Sequence, residues 1–265
     1  ATKPATWQPV LADNIIGGFT DAVYWVRFTL ENDSTKSIPW VLEVDYAILD
    51  QITLYSPLGS TRTSSSQGSA LDQHYTKVVS GDHLPFNKRP INYRNVAFPL
   101  NTPAKSSQVY YMRFQTESSM YIALNMWPNN SFSESITAKL IIFGFIYGIV
   151  FLASLYCLIN AIFLRVRMYL FIAISILGSL SYSMSINGFA FQYIWPEGLW
   201  LQSVSVPFFM NIGSGFLLLY SRDFLSLTKT SPISDKVILS LAIFCLVLGG
   251  LSLFVDYGSV IRIST

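Results

Sequence analysis

Few side chains in this sequence are equipped for chemistry, and they are thinly spread. The two histidines, His74 and His83, fall in segments of loop composition. No His, Asp and Glu stand together at metal-ligand spacing. There is no Gly-x-Ser-x-Gly elbow and no EF-hand loop. The two cysteines, Cys157 and Cys245, sit inside long apolar runs and cannot staple the polar half of the chain. The expectation is that these residues form no enzyme, hold no metal and need no cofactor.

Recognition chemistry is better represented. Trp25 and Arg27 share one face of an alternating segment, and Glu43 and Asp45 share one face of another. An aromatic ring beside charged hydrogen-bonding groups suits a sugar or another small polar ligand. The same residues also suit an ordinary sheet face with cross-strand ion pairs. The loop around Asp82–Arg94 could equally cover that face. Arg89 and Arg94 would either clamp an anionic ligand or cap loop carbonyls. The expected ligand-binding set is therefore Trp25, Arg27, Glu43, Asp45, Arg89 and Arg94.

The elements that carry these residues read as strands. In Tyr24–Leu30, Val26, Phe28 and Leu30 alternate with Trp25, Arg27 and Thr29. Trp40–Tyr46 alternates in the same way, with Glu43 and Asp45 expected to be exposed. Ile52 and Leu54 mark a third strand, ended by Ser56-Pro57-Leu58-Gly59. Further strands are expected at Arg94–Leu100, Val109–Phe114 and Tyr121–Trp127. Turn compositions separate them at Asn32-Asp33-Ser34, Thr61–Ala70 and Asn101-Thr102-Pro103. Many short strands with polar turns predict an all-β jelly-roll β-sandwich over residues 1–135.

From Lys139 onward the composition changes. Ten of the 17 Lys+Arg and 11 of the 15 Asp+Glu precede Lys139, so the remainder is nearly charge-free. Four apolar segments, at about 140–164, 169–194, 199–221 and 237–255, are long enough to cross a bilayer as helices. A fifth is expected to start near 260, and residues 139–265 form an α-helical transmembrane bundle. The second segment exceeds the length a span requires, so interfacial structure is expected at its end. Arg165 and Arg167 follow the first segment, and Arg222, Lys229 and Lys236 follow the third. The excess of Lys and Arg in these connections puts them in the cytoplasm and the strand-rich domain outside. Trp195 and Trp200 fit an aromatic belt at the outer interface.

Asn160, Asn187, Asn211 and the Ser179–Ser185 cluster fall within the spans. They suit interhelical hydrogen bonds or a coupling site. No span carries an Asp, Glu, Lys or His, which argues against a proton pump or ion-coupled transporter. Gly144 and Gly148 form a Gly-x-x-x-Gly pair that allows close helix packing, within the bundle or in a homodimer. The net charge of +2 and the lack of a basic run give no nucleic-acid footprint. An external domain requires export, so a removed signal is expected ahead of Ala1. An odd number of spans is needed to reach a cytoplasmic effector, so more chain is expected beyond Thr265.

A series of motifs joins these readings. Tyr24-Trp25-x-Arg27-x-x-Leu30-x-Asn32 opens it. Trp40-x-Leu42-Glu43-x-x-Tyr46-x-x-Leu49-Asp50-x-Ile52-x-Leu54-Tyr55 continues it. Gly81-Asp82-x-x-Pro85-Phe86-x-x-Arg89-Pro90 follows, then Arg94, Phe98-Pro99-Leu100, Tyr110-Tyr111-x-Arg113, Ser118-Ser119 and Trp127. In the membrane half, Arg222-Asp223-Phe224-Leu225 closes the third span. The series resembles the periplasmic domain and membrane region of bacterial seven-transmembrane receptors with diverse intracellular signalling modules, the 7TMR-DISM family.

The resemblance implies a jelly roll similar to carbohydrate-binding modules, held in the periplasm at the bacterial inner membrane. It implies a small-molecule ligand, a carbohydrate or in some members calcium. It also implies transmission through the lipid-embedded bundle to a diguanylate cyclase or histidine kinase effector. The alternative is a membrane-anchored carbohydrate-binding or transporter-accessory protein without signalling output.

Overall fold

Alternation of apolar and polar residues at period two builds the first half of the chain. The structure, a computed structural model, describes residues 7–10, 12–58 and 75–254. His74, the stretch 61–70, Asp256 and the expected span near 260 lie outside the described residues. Eight strands are present among those described: β1 Asn14–Phe19, β2 Tyr24–Asn32, β3 Ile38–Val44, β4 Gln51–Pro57, β5 Tyr75–Ser80, β6 Val96–Thr102, β7 Ser106–Gln115 and β8 Ser119–Pro128. They form two four-stranded sheets, ordered β1-β8-β3-β6 and β2-β7-β4-β5. All pairings are antiparallel. Leu42, Val44, Ile52, Leu54, Phe98, Tyr110, Met112, Phe114 and Ile122 fill the space between the sheets. In β2, Val26, Phe28 and Leu30 pack on this core while Trp25 and Arg27 face outward.

Two strands escape the period-two reading. β1 is Asn-Ile-Ile-Gly-Gly-Phe, and its pairing to β8 slips between Ile16 and Gly18. The slip breaks the alternation a reader would look for. β5, Tyr-Thr-Lys-Val-Val-Ser, sets Val78 and Val79 side by side and so lacks a clean alternation.

The second half is helical: α1 Asn129–Leu164, α2 Arg167–Ile186, α3 Phe189–Tyr193, α4 Leu199–Phe224, α5 Leu227–Thr230 and α6 Pro232–Leu251. Among the described residues, α1, α2, α4 and α6 are long and apolar enough to cross a membrane. The short α3 breaks the long apolar run after the second span, where separate structure was expected. At 1.5 Å per residue, α1 is roughly 54 Å long, well beyond the ~30 Å of hydrocarbon it must cross. Its first turns therefore stand clear of the bilayer. The segment 129–139 is helical and continues β8 directly into the first span.

The spans pack in the order α1, α2, α4, α6. Small residues allow the closest approach. A Cβ added to Gly178 on α2 would stand 2.9 Å from the Gly213 Cα on α4. Beside it, Ser175 Oγ donates to the Gly213 carbonyl at 2.9 Å, and Ser154 on α1 donates to the Ala173 carbonyl on α2 at 2.8 Å. Asn160 and Asn211 instead donate to carbonyls one turn back in their own helices. A Cβ added to Gly144 or Gly148 would meet nothing within 4 Å among the described residues, because both lie on the open side of α1. At the end of the bundle away from the sandwich, Arg167 binds Asp223 through two bonds of 2.8 and 3.1 Å. Arg222 binds Asp235 likewise, at 2.6 and 3.0 Å.

Candidate functional site: the seam between sandwich and helices

The loop between β5 and β6 lies against the outer ends of the helices. Phe86 N–H donates to the Pro196 carbonyl at 2.9 Å, ahead of α4. Arg94 Nη1 donates to the Asn187 carbonyl at 3.1 Å, at the end of α2. Gln202 of α4 donates to Asp82 Oδ2 at 3.4 Å. Gly188 makes the close fit possible. Its φ is +76°, and a Cβ there would sit 2.6 Å from the Arg94 carbonyl oxygen. The ring of Phe189 packs 5.4 Å from the Arg94 guanidinium, whose other flanks meet Tyr93 and Phe143.

Behind Arg94 lies a buried polar network. Glu43 is 1% exposed. Its Oε1 accepts from Asn95 Nδ2 at 2.8 Å, and its Oε2 accepts from Trp127 Nε1 at 2.8 Å. Lys139 of α1 lies 3.6 Å from Oε1. Asn95 Nδ2 also donates to Asp45 Oδ1 at 2.6 Å, and Arg94 stands 3.7 Å from the same oxygen. The carboxylate thus ties together β3, β8, α1 and the residue just ahead of β6.

This arrangement separates the residues of the expected ligand face, and Glu43 is buried where it was expected to be exposed. Trp25 and Arg27 lie on one sheet, and Glu43 lies on the other. Glu43 points away from the sandwich core, as its alternation requires, but not into water. Tyr93, Phe132 and Ile136 cover that side of β3, bringing the loop and the start of α1 over it. Arg89 and Arg94 are likewise buried. Arg89 donates to the carbonyls of Tyr93 and Arg94, at 3.1 and 2.6 Å, and stacks on Phe86 and Phe191. Burial lowers the Arg89 pKa to about 10, against the opposing charge of Asp82. Of the two readings of these arginines, the carbonyl-capping one describes their contacts.

A second cluster was not legible in the sequence. Asp50, Asp82 and His83 each bring one ligand-type atom within 4.8 Å of the others. Asp50 is oriented by Thr116 Oγ1 at 3.0 Å and by Glu117 N–H at 2.6 Å. Asp82 is buried, and its Oδ1 has no hydrogen-bond partner among the described residues. On the outer side, a cleft of about 420 Å³ is lined by Asp21, Asp50, His83 and Glu117. The separation of Asp50 from Asp82 along the chain hides the grouping. Only the β4–β5 pairing brings them together, by placing Ile52 opposite Ser80.

Asp82 has its pKa pushed up to about 6, first by burial and then by the Asp50 charge. His83, the Gln202 hydrogen bond and Arg89 oppose the shift. The folded state therefore binds the Asp82 proton more tightly than the unfolded chain does. The stabilisation from this proton is full below about pH 4 and is lost as pH rises through about 6. In chelator-treated protein, the melting temperature is expected to rise on acidification from pH 7 to pH 5. Asp82→Asn should flatten that rise, and an equal rise in the variant would show that another group is responsible.

The fold and the seam define a membrane protein whose N-terminal β-sandwich is seated on a helical bundle. Residues 1–128 match the family model described as 7TMR-DISM extracellular 2, and residues 139–265 match the one described as 7TM diverse intracellular signalling. The chain belongs to the 7TMR-DISM receptor family, with an extracellular sensor domain followed by a transmembrane signalling region. A comparison with curated proteins returned no match.

Proposed function

We propose that this chain is the input and transmission part of a bacterial inner-membrane receptor, not an enzyme, and that its periplasmic ligand is a divalent cation such as calcium. The carrying observation is the Asp50–Asp82–His83 cluster, with one buried Asp82 oxygen unpartnered among the described residues and the other bonded to Gln202 of α4. Calcium favours carboxylate oxygens. A cation held here would relieve the repulsion between Asp50 and Asp82 at the point where the sandwich meets a span. Its binding would bias two arrangements of the sandwich against the bundle. The family resemblance supports output through a cytoplasmic effector of the diguanylate cyclase or histidine kinase kind. The open Gly144–Gly148 face of α1 supports a helix contact in a homodimer. The alternation of strands between the two sheets supports the jelly-roll reading. A sugar ligand has less support, because Trp25 and Arg27 are parted from Glu43 and Asp45.

Calorimetric titration of the full chain in nanodiscs with calcium chloride tests the proposal. Saturable binding is expected, weakened at least about tenfold in Asp82→Asn and in Asp50→Asn. Hydrogen exchange at Gly198–Ser203 should slow when calcium binds. Absence of binding, or wild-type affinity in either variant, would rule out this ligand site. Binding without any change at the start of α4 would rule out the coupling.

A further inference from the structure

The sandwich holds a second cleft, lined by residues that the seam does not use. It has a volume of about 520 Å³ and opens between β1 and β2. These are edge strands of opposite sheets. The gap between them exposes side chains of the sandwich interior, so Val26, Phe28, Ile122 and Leu124 form an apolar floor. Trp7 and Trp25 form its aromatic walls, and Trp25 is held by stacking on Tyr55 with centroids 5.6 Å apart. The volume lies within the range of small-molecule sites, which are mostly apolar with a few placed polar groups.

The polar groups here are of both signs. Arg27 and Asp13 both line the cleft, and both are exposed. Arg27 lies 5.2 Å over the Trp7 ring. Among the described residues no carboxylate is within ion-pair distance of it. A cation and an anion that do not neutralise each other, above an apolar floor, are complementary to a zwitterion with an apolar body. As an edge strand, β2 also has backbone N–H and C=O groups free of ladder bonds along one side.

We infer that this cleft is a binding site for an apolar α-amino acid. Arg27 takes its carboxylate, Asp13 takes its ammonium group, and the floor between the sheets takes its side chain. A sugar is a poorer occupant, because its hydroxyls would be pressed against four apolar side chains without partners. The cleft shares no lining residue with the cation cluster.

The test is calorimetric titration of the full chain in nanodiscs with L-phenylalanine, 3-phenylpropionate, phenethylamine and glucose. L-Phenylalanine is expected to bind saturably. The two analogues, each lacking one charge, should bind at least about tenfold more weakly. Arg27→Gln should weaken phenylalanine by a similar factor while leaving the melting temperature unchanged, since Arg27 is exposed. The inference is overturned if phenylalanine gives no saturable heat up to about 10 mM. It is also overturned if Arg27→Gln binds as wild type does, if either analogue matches phenylalanine, or if glucose binds in its place.

Discussion

Gly81→Ala is expected to abolish the folded sandwich or to destabilise it by at least about 4 kcal/mol. Gly81 has φ +145°, where a side chain is strained irrespective of space. Here there is no space either. A Cβ would overlap the Asp50 carbonyl oxygen and stand 2.7 Å from its carbonyl carbon. The obstacle is backbone at the entry to β4, so no rotamer change relieves it. The residues on either side cannot move freely. Asp82 N–H donates to the Leu49 carbonyl at 3.0 Å, and His83 N–H donates to the Asp50 carbonyl at 3.3 Å. Relief of the clash would have to break these bonds and part Asp82 from Asp50. Denaturant unfolding of the detergent-solubilised chain, followed by tryptophan fluorescence, measures the loss. Gly18→Asn is the matched control. Gly18 also has positive φ, +63°, but a Cβ there meets nothing within 4 Å. Asparagine tolerates that conformation, so a change under about 1 kcal/mol is expected. Equal midpoints for Gly81→Ala and wild type would contradict the close packing of Gly81 on Asp50.

The second large effect is expected at Glu43. Glu43→Ala should cost about 3–5 kcal/mol, the range for breaking a buried charged pair from one side. The variant leaves Trp127 Nε1 without its acceptor, deprives Asn95 of one of two, and removes the anion facing Lys139. Glu43→Gln retains the shape and an acceptor oxygen, so a smaller loss of about 1–3 kcal/mol is expected. Because Lys139 belongs to α1, the damage should not stay within the sheet. Hydrogen exchange across Asn129–Lys139 should accelerate in Glu43→Ala, as the first turns of α1 lose their hold on β3. If the alanine variant melts with wild type and exchange is unchanged, Glu43 does not join the two halves.

The two predictions rest on features of different legibility. The outward-facing pair Trp25 and Arg27, the inward-facing Val26, Phe28 and Leu30, and four spans with basic connections on one side were all readable from residue order. Strand alternation and helix length are local consequences of backbone geometry, so the local pattern carries them. The break after α2 could be anticipated because the apolar run exceeded a span. The strand β1 could not be anticipated, because its bulge destroys the period on which such a reading depends.

Alternation determined by itself that Glu43 turns its back on the sandwich core. Only the tertiary structure decided what stood there instead of water. A polar residue on the outer face of a strand is solvated unless something else in the chain covers it. The cover here comes from Tyr93, Phe132 and Ile136, residues 50 or more positions away. Long-range burial of this kind makes Glu43 a structural tie between sandwich and helices. The same holds for Asp50 and Asp82, which become neighbours only because β4 pairs with β5. Sequence order therefore specified the two halves and their direction across the membrane. How the halves grip each other was settled by packing, because burial and charge pairing depend on distances that no local pattern encodes.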